Sequence, residues 1–200
     1  TIGGKSLREH LEVIGHKEAL DFVLELADVA SPIREREIRE IHSLVMKGQD
    51  QAESSAYRTI NVKAAGTEFV YPDHLHVPEL MAQFVEHLGN EVIHPILLAS
   101  KVHQQFVTIH PFRDGNGRVG RLLLNLILLR AGYPIAVIPL ARRSEYIDAL
   151  VVAQSLRGLD ALDGLVMDAV EVSLRENLEI CVSASPTPAI EAWLRDSGTR

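Results

Sequence analysis

Length, composition and charge indicate one globular domain and exclude several classes of protein. The 200 residues are 46% apolar and 24% charged, which is typical of a soluble chain with a substantial core. The net charge of −7 argues against general nucleic-acid binding, and the longest apolar run, 122–129, is far shorter than a membrane span of about 20 residues. The first residues lack the pattern of a secretory signal, and Cys181 has no second cysteine to pair with. We therefore expect a cytoplasmic protein in which this thiol is a small buried residue.

The first 46 residues predict helices. Ser6-Leu-Arg-Glu9 has the pattern of a capping box, so a helix should run to about Val13 and a second one should follow Gly15. Ser31-Pro32 has the pattern of another helix start, with proline at the first helical position. Apolar residues at helical spacing then continue to about Met46.

Residues 57–71 have a different character. Thr59, Ile60 and Val62 favour a strand, as do the residues from Thr67 to Tyr71, and Ala64-Ala65-Gly66 lies between them as a turn. A single hairpin in a helical chain has no sheet to join and is marginal alone. Its presence therefore needs a functional reason.

The remainder of the chain is again helical in pattern. The predicted helices cover 77–88, 95–109, 118–131, 143–155 and 161–180. We therefore predict a mainly α domain over residues 1–182, with one short hairpin. Residues 183–200 begin with Ser183-Ala-Ser-Pro-Thr-Pro188 and form a linker-like tail or the start of a further helix.

The residues with the clearest chemistry are His110-Pro-Phe-Arg-Asp-Gly-Asn-Gly-Arg-Val-Gly-Arg121. Gly115 and Gly117 let the backbone approach a ligand closely, immediately before a helix whose first N–H groups favour anions. From 110 to 143 the chain has six arginines and one acid, a local charge of +5. A histidine and a carboxylate beside this anion site indicate phosphate-ester chemistry.

These twelve residues resemble the motif of the Fic family, His-Pro-Phe-x-(Asp/Glu)-Gly-Asn-Gly-Arg-x-x-Arg, at every fixed position. The resemblance implies a Fic-fold helical bundle with a catalytic loop at 110–118 and a hairpin flap at about 57–72. It also implies transfer of AMP from ATP to a Ser, Thr or Tyr hydroxyl of a target protein.

Residue by residue, the resemblance implies a role for each matched position. His110 is the general base, and its ordinary pKa near about 6.5 suits that role. Asp114 holds Mg²⁺, the one cofactor that we expect, with ATP as co-substrate. The nucleotide phosphates contact Gly115, Asn116, Gly117, Arg118 and Arg121. The guanidinium groups of the two arginines pair with the β- and γ-phosphates. The flap residues that contact the target by strand addition are Ile60, Asn61, Val62, Lys63 and Gly66.

Other functions remain open at the level of sequence. Doc-like relatives have Ala-Asn-Lys in this loop and transfer phosphate, whereas Gly115 and Gly117 stand at the two differing positions here. Some Fic proteins move UMP or phosphocholine. A nucleotide-binding regulatory or interaction module without turnover is a further alternative, against which the intact motif argues.

Many Fic proteins carry an inhibitory helix whose glutamate pairs with the second motif arginine, here Arg121. The stretch from Gly4 to Glu12 resembles the residues that follow this helix in the group that has it N-terminally. The resemblance therefore implies a regulatory helix upstream or in another chain. A C-terminal version is only half matched, because Glu176-Asn177 is present but Val172 replaces the expected Ser or Thr.

Overall fold

The computed structural model describes residues 6–49, 55–63, 69–88, 92–155 and 157–183. Every regular element in these ranges is helical. The α-helices are α1 (Leu7–Ala27), α2 (Glu35–Val45), α3 (Val77–His87), α4 (Pro95–Ile109), α5 (Asn116–Arg130), α6 (Arg143–Gln154) and α7 (Asp160–Ser183). Two short 3-10 helices, His74–His76 and Leu140–Arg142, precede α3 and α6 respectively.

Helix α5 is the centre of the bundle. It packs against α4, α1 and α2, and the side chains from Leu122 to Leu128 are all buried. Asn125 is a polar exception, and its side chain accepts a hydrogen bond from the N–H of Ala136 and donates one to the carbonyl of the same residue. This pair of bonds fixes the chain that follows α5 against the core.

The capping box at the start of α1 is confirmed, but the predicted break at Gly15 is wrong. The Ser6 hydroxyl accepts from the N–H of Glu9, and the Glu9 carboxylate accepts from the N–H of Ser6. The helix continues without interruption because Gly15 is the point at which α1 meets α2. A Cβ added there would collide with the carbonyl oxygen of Leu44 and lie 2.7 Å from the Cβ of Lys47.

We predict opposite stability effects for two glycine-to-alanine substitutions. Alanine is better than glycine in a helix by about 1 kcal/mol. A Cβ added at Gly164 in α7 would have no heavy atom within 4 Å other than those of its chain neighbours and the helix's own backbone. Gly164→Ala should therefore raise the free energy of unfolding, whereas Gly15→Ala should lower it by about 1–3 kcal/mol through overpacking. Urea unfolding curves of the two variants test this, and a gain for Gly15→Ala would contradict the close approach of α1 and α2.

Several other helix boundaries differ from the prediction. Helix α2 begins at Glu35 rather than at Pro32, because the carboxylate of Glu37 accepts a hydrogen bond from the N–H of Arg34 at 2.9 Å and closes the first turn there.

Cys181 is exposed, contrary to the expectation, because the last turns of α7 project from the core. None of the helices in the described ranges is long and apolar enough to cross a bilayer. The predicted tail beyond 183 lies outside the described residues.

The predicted hairpin flap at 57–72 is not confirmed. Residues 57–63 and 69–72 are described, and none of them is in a strand; the turn with Gly66 lies outside the described residues. The physical reason is that two backbone carbonyls that a ladder could use are bonded to one side chain instead. The guanidinium of Arg58 donates to the carbonyls of Ile60 and Pro72, on the two sides of the segment. We call residues 59–63 and 69–72 the two legs.

Candidate active site

A cavity of about 650 Å³ opens beside the N-terminus of α5. One part of its wall is polar and the other is apolar. The polar part has four cationic side chains and one carboxylate, and a buried amide lies among them. These residues are Lys63, Arg113, Asp114, Asn116, Arg121 and Arg143, and the apolar wall includes Ile138, Pro139, Leu140, Ile147, Leu150 and Val151.

His110 lines this cavity at the C-terminus of α4, where its backbone adopts the left-handed region with φ 52°. The carbonyl of Val107 lies 3.2 Å from Nδ1, and because a carbonyl can only accept, Nδ1 carries the proton. Nε2 is then the unprotonated nitrogen. Burial lowers the pKa of His110 from its usual value, against the opposing effect of the Val107 hydrogen bond. The imidazole is therefore neutral at pH 7 and able to accept a proton.

The loop after His110 turns sharply at Gly115, whose φ is 79°. A side chain at this position would be strained, and its Cβ would lie 3.0 Å from the sulfur of Met46. Asp114 immediately before it accepts a hydrogen bond from the N–H of Gly115 at 2.6 Å. Its other carboxylate oxygen lies 3.4 Å from the guanidinium of Arg118, and the side chain is largely exposed. The carboxylate thus faces the cavity and can accept a cation.

Asn116 lines the cavity but uses its side chain within the loop. Its amide oxygen accepts from the N–H of Phe112 at 2.9 Å, and its amide nitrogen donates to the carbonyl of the same residue at 2.8 Å. The buried ring of Phe112 anchors this arrangement in the core. Asn116 therefore shapes the loop, and a ligand at this end of the cavity would meet the backbone N–H groups that begin α5.

The two motif arginines have different surroundings. Arg121 lines the cavity, with a guanidinium nitrogen 3.6 Å from the position of a Cβ added at Gly117. Arg118 instead donates to the carbonyl of Val45 at the end of α2, at 3.3 Å, besides its contact with Asp114. The structure thus brings only Arg121 of this predicted pair into the wall of the cavity.

Tyr146 on α6 connects Arg121 to the core. Burial raises the pKa of its phenol, while the charge and hydrogen bond of Arg121 oppose that rise. The phenol oxygen also lies 2.7 Å from Nε2 of His103, whose pKa burial lowers to about 4. Arg121 therefore contacts a buried, neutral pair of side chains, Tyr146 and His103.

Arg58 is a buried cation that joins the two legs to the catalytic loop. Its Nε donates to the carbonyl of His110 at 2.8 Å, and its backbone N–H donates to the carbonyl of Pro111 at 2.8 Å. The other donors reach Ile60 and Pro72. The guanidinium thus places both legs directly beside the histidine.

The predicted flap residues have distinct environments. Ile60 is half exposed, and Lys63 lines the cavity beside the predicted phosphate site. Asn61 is used internally, because its side chain accepts from the N–H of His74 at 2.8 Å and donates to Asp73 at 3.0 Å. Val62 is partly buried, and Gly66 is not described. Ile60, Asn61 and Lys63 are all exposed, but the side chain of Asn61 is already hydrogen-bonded within the segment.

Several residues at the site were not predicted from the sequence. Tyr71 lies with its ring centre 4.1 Å from that of His110, and Arg143 lines the cavity. His42 on α2 is buried and contacts the catalytic loop. The sequence could have indicated His42, because this histidine lies on the apolar face of α2 beside Ile38, Ile41 and Val45. No local sequence pattern distinguishes Tyr71 or Arg143.

Comparison with known proteins gives a consistent result. The sequence model of the Fic/DOC family matches residues 32–128. Protein adenylyltransferase fic-1 of Caenorhabditis briggsae is 40% identical over 157 residues, which are 76% of this chain and 31% of that protein. The chain thus spans less than a third of the length of this relative.

Two solved structures are similar over most of the chain. Fic-1 of C. elegans, residues 134–508, has a TM-score of 0.80 and 36% identity, and the match covers 92% of this chain and 56% of that one. A Fic domain containing signaling protein from Bacteroides thetaiotaomicron has a TM-score of 0.72 and 31% identity, covering 86% of this chain and 69% of that one.

Proposed function

The chain belongs to the Fic/DOC family, and on that premise we propose that it is a protein adenylyltransferase that moves AMP from ATP to a hydroxyl side chain of a target protein. The observation that supports this most directly is the pose of His110. Its Nδ1 proton is engaged by the carbonyl of Val107, so Nε2 can act as a base beside a cationic cavity.

The reaction needs one bond to form and one to break. The hydroxyl oxygen of the target attacks the α-phosphorus, the bond from this phosphorus to the pyrophosphate oxygen breaks, and the hydroxyl proton moves to Nε2 of His110. Negative charge accumulates on the leaving pyrophosphate. Arg121 lies in the cavity where it can pair with that charge, and the N–H groups that begin α5 add a partial positive charge.

The residues present are compatible with Mg²⁺. This ion takes one or two protein carboxylates and completes its shell with water and phosphate oxygens, so a single exposed Asp114 in the cavity suits it. Within the described ranges, no three His, Cys, Asp or Glu side chains form a metal-binding cluster of their own. When bound, the ion would neutralise phosphate charge and orient the phosphates, and Asp114 would hold it.

The other parts of the site indicate where the nucleoside and the target would bind. The apolar wall from α6 and the residues before it would bind the nucleoside half of ATP, because it would cover the faces of the flat base that are otherwise exposed to water. The legs would receive the target, since Ile60 and Val70 expose apolar side chains there. A regulatory helix, upstream or in another chain, would place a glutamate on Arg121.

Two labels of ATP test the proposed function. Relative to the same lysate without the chain, we expect proteins of the source cells to gain additional label from ATP marked at the α-phosphate (the α-label). We expect no additional label from ATP marked at the γ-phosphate, because the kinases of the lysate contribute equally to both samples. A Doc-like phosphotransferase would give the reverse result. A binding module would transfer neither label, although calorimetry would still detect binding of a non-hydrolysable ATP analogue. Either of these outcomes would exclude AMP transfer.

A further inference from the structure

His42 forms hydrogen bonds in two directions from the buried face of α2. Its Nδ1 lies 3.0 Å from the backbone N–H of Ser55, and its Nε2 lies 3.1 Å from the backbone carbonyl of Asp114. An N–H can only donate and a carbonyl can only accept, so Nδ1 is the acceptor and Nε2 carries the proton. The two backbone partners therefore define a single tautomer of a neutral ring.

The ring has little freedom to leave this position. It is 2% exposed and stacks on Phe112, with ring centres 3.7 Å apart and planes 9° from parallel. Its other neighbour is the sharp turn at Gly115, where an added Cβ would lie 3.3 Å from the ring carbon Cδ2. The imidazole thus fills the space beneath the catalytic loop as well as bonding to it.

The partner on the other side, Ser55, is held by α2 at both of its backbone groups. Its φ is 69°, in the left-handed region, which is uncommon for serine. Arg39, one turn before His42, donates to the carbonyl of Ser55 at 3.2 Å, and its guanidinium lies 3.8 Å from the ring centre of Tyr57. Arg58 follows at once and donates to the carbonyl of His110. The chain from 55 to 58 therefore connects α2 to the catalytic base.

We propose that His42 is a positioning residue that places Asp114 and His110 relative to each other. It holds the loop through the carbonyl of Asp114, and it holds the residues that lead to Arg58 through the N–H of Ser55. The inference rests on the proposed function, because it assigns His42 a role in AMP transfer. The group that would accept the hydroxyl proton and the group that would hold the ion at the phosphates are thereby both positioned through the ring of His42. A misplacement of about 1 Å in such a group can reduce a rate by about 100-fold.

Two amide substitutions separate the two hydrogen bonds. In His42→Gln the terminal amide reaches the position of Nε2 and can still donate to Asp114, whereas in His42→Asn the amide oxygen reaches the position of Nδ1 and can accept only from Ser55. Both variants lose the stacked ring, so their midpoints of thermal unfolding should fall by similar amounts. We expect the initial rate of α-label transfer at saturating ATP to fall by about 10- to 100-fold in His42→Asn. The fall should be clearly smaller in His42→Gln, because this variant keeps the bond to the loop that contains both His110 and Asp114.

A merely structural role predicts a different pattern. The rates of the two variants would then fall in parallel with their unfolding temperatures, and that result would overturn the proposal. His87→Ala, an exposed histidine on α3, is the matched control for loss of an imidazole and should keep the wild-type rate.

A second measurement does not depend on activity. Long-range nitrogen–proton NMR spectra of the wild-type chain should show His42 protonated at Nε2 alone at pH 7. Protonation at Nδ1 would contradict the two hydrogen bonds and overturn the proposal, even if AMP transfer is observed. If the wild type transfers no label but the tautomer is found, the hydrogen bonds are confirmed and the proposed function fails. The positioning role of His42 in AMP transfer then fails with the proposed function.

Discussion

Replacing His110 with alanine is expected to reduce transfer of the α-label by about 100- to 10,000-fold, the usual contribution of a positioned general base. The nucleotide should still bind, because Arg121 and the N–H groups that begin α5 are unchanged. Initial rates of label incorporation and calorimetric titration with a non-hydrolysable ATP analogue measure the two effects separately. Loss of transfer together with retained binding is the expected result.

The left-handed backbone of His110 calls for a second variant. Alanine at φ 52° is strained, whereas asparagine is among the residues that tolerate this region. His110→Asn should therefore remain closer to the wild type in unfolding temperature while being as inactive as His110→Ala. A variant of either kind that retains the wild-type rate would exclude His110 as the base.

Replacing Arg58 with alanine is expected to lower both stability and activity. The carbonyls of His110, Ile60 and Pro72 would lose their donor, and a buried acceptor without a partner costs about 1–3 kcal/mol. One of these carbonyls belongs to His110, the proposed base. The rate of transfer should therefore fall even at temperatures at which the variant is still folded. Urea unfolding curves and initial rates of α-label incorporation measure the two losses.

Two further substitutions make this test specific for the bonding pattern. Arg58→Lys keeps the charge but cannot reproduce the fork of donors, so it should remain deficient in both measurements. Arg175→Ala removes an exposed arginine of α7 that pairs across one helical turn with Glu171, and such pairs contribute little. If Arg58→Lys behaves as the wild type, the charge of residue 58 is sufficient and the proposed role of its hydrogen bonds is wrong.

Local patterns predicted the parts of the fold that local chemistry determines. The bounds of α4 were predicted correctly because proline occupies its first position and His110-Pro111 ends it. The capping box of α1 was also found from four residues. In both cases the deciding hydrogen bonds or steric restrictions lie within one turn of helix. The motif at 110–121 is likewise contiguous, so its residues could be nominated without knowledge of the fold.

Contacts between distant parts of the chain could not be read in the same way. His42 and Asp114 are 72 residues apart, and Arg58 and His110 are 52 apart, so no spacing rule connects either pair. The same limitation explains the error at Gly15, where the packing of α2 overrides the weak helix propensity of glycine. The roles of Arg118 and Asn116 also depended on partners that only the folded loop reveals.

The bridge formed by Arg58 has a thermodynamic consequence. One guanidinium bonds to a carbonyl on each leg and to the carbonyl of His110, so the legs and the base share one set of hydrogen bonds. In the proposed reaction, a target that restrains the legs would favour one pose of His110. A nucleotide that favours the same pose would then tighten the binding of the target, and by linkage the target would tighten the binding of the nucleotide by the same factor. Arg58 would be the side chain that couples the two binding events.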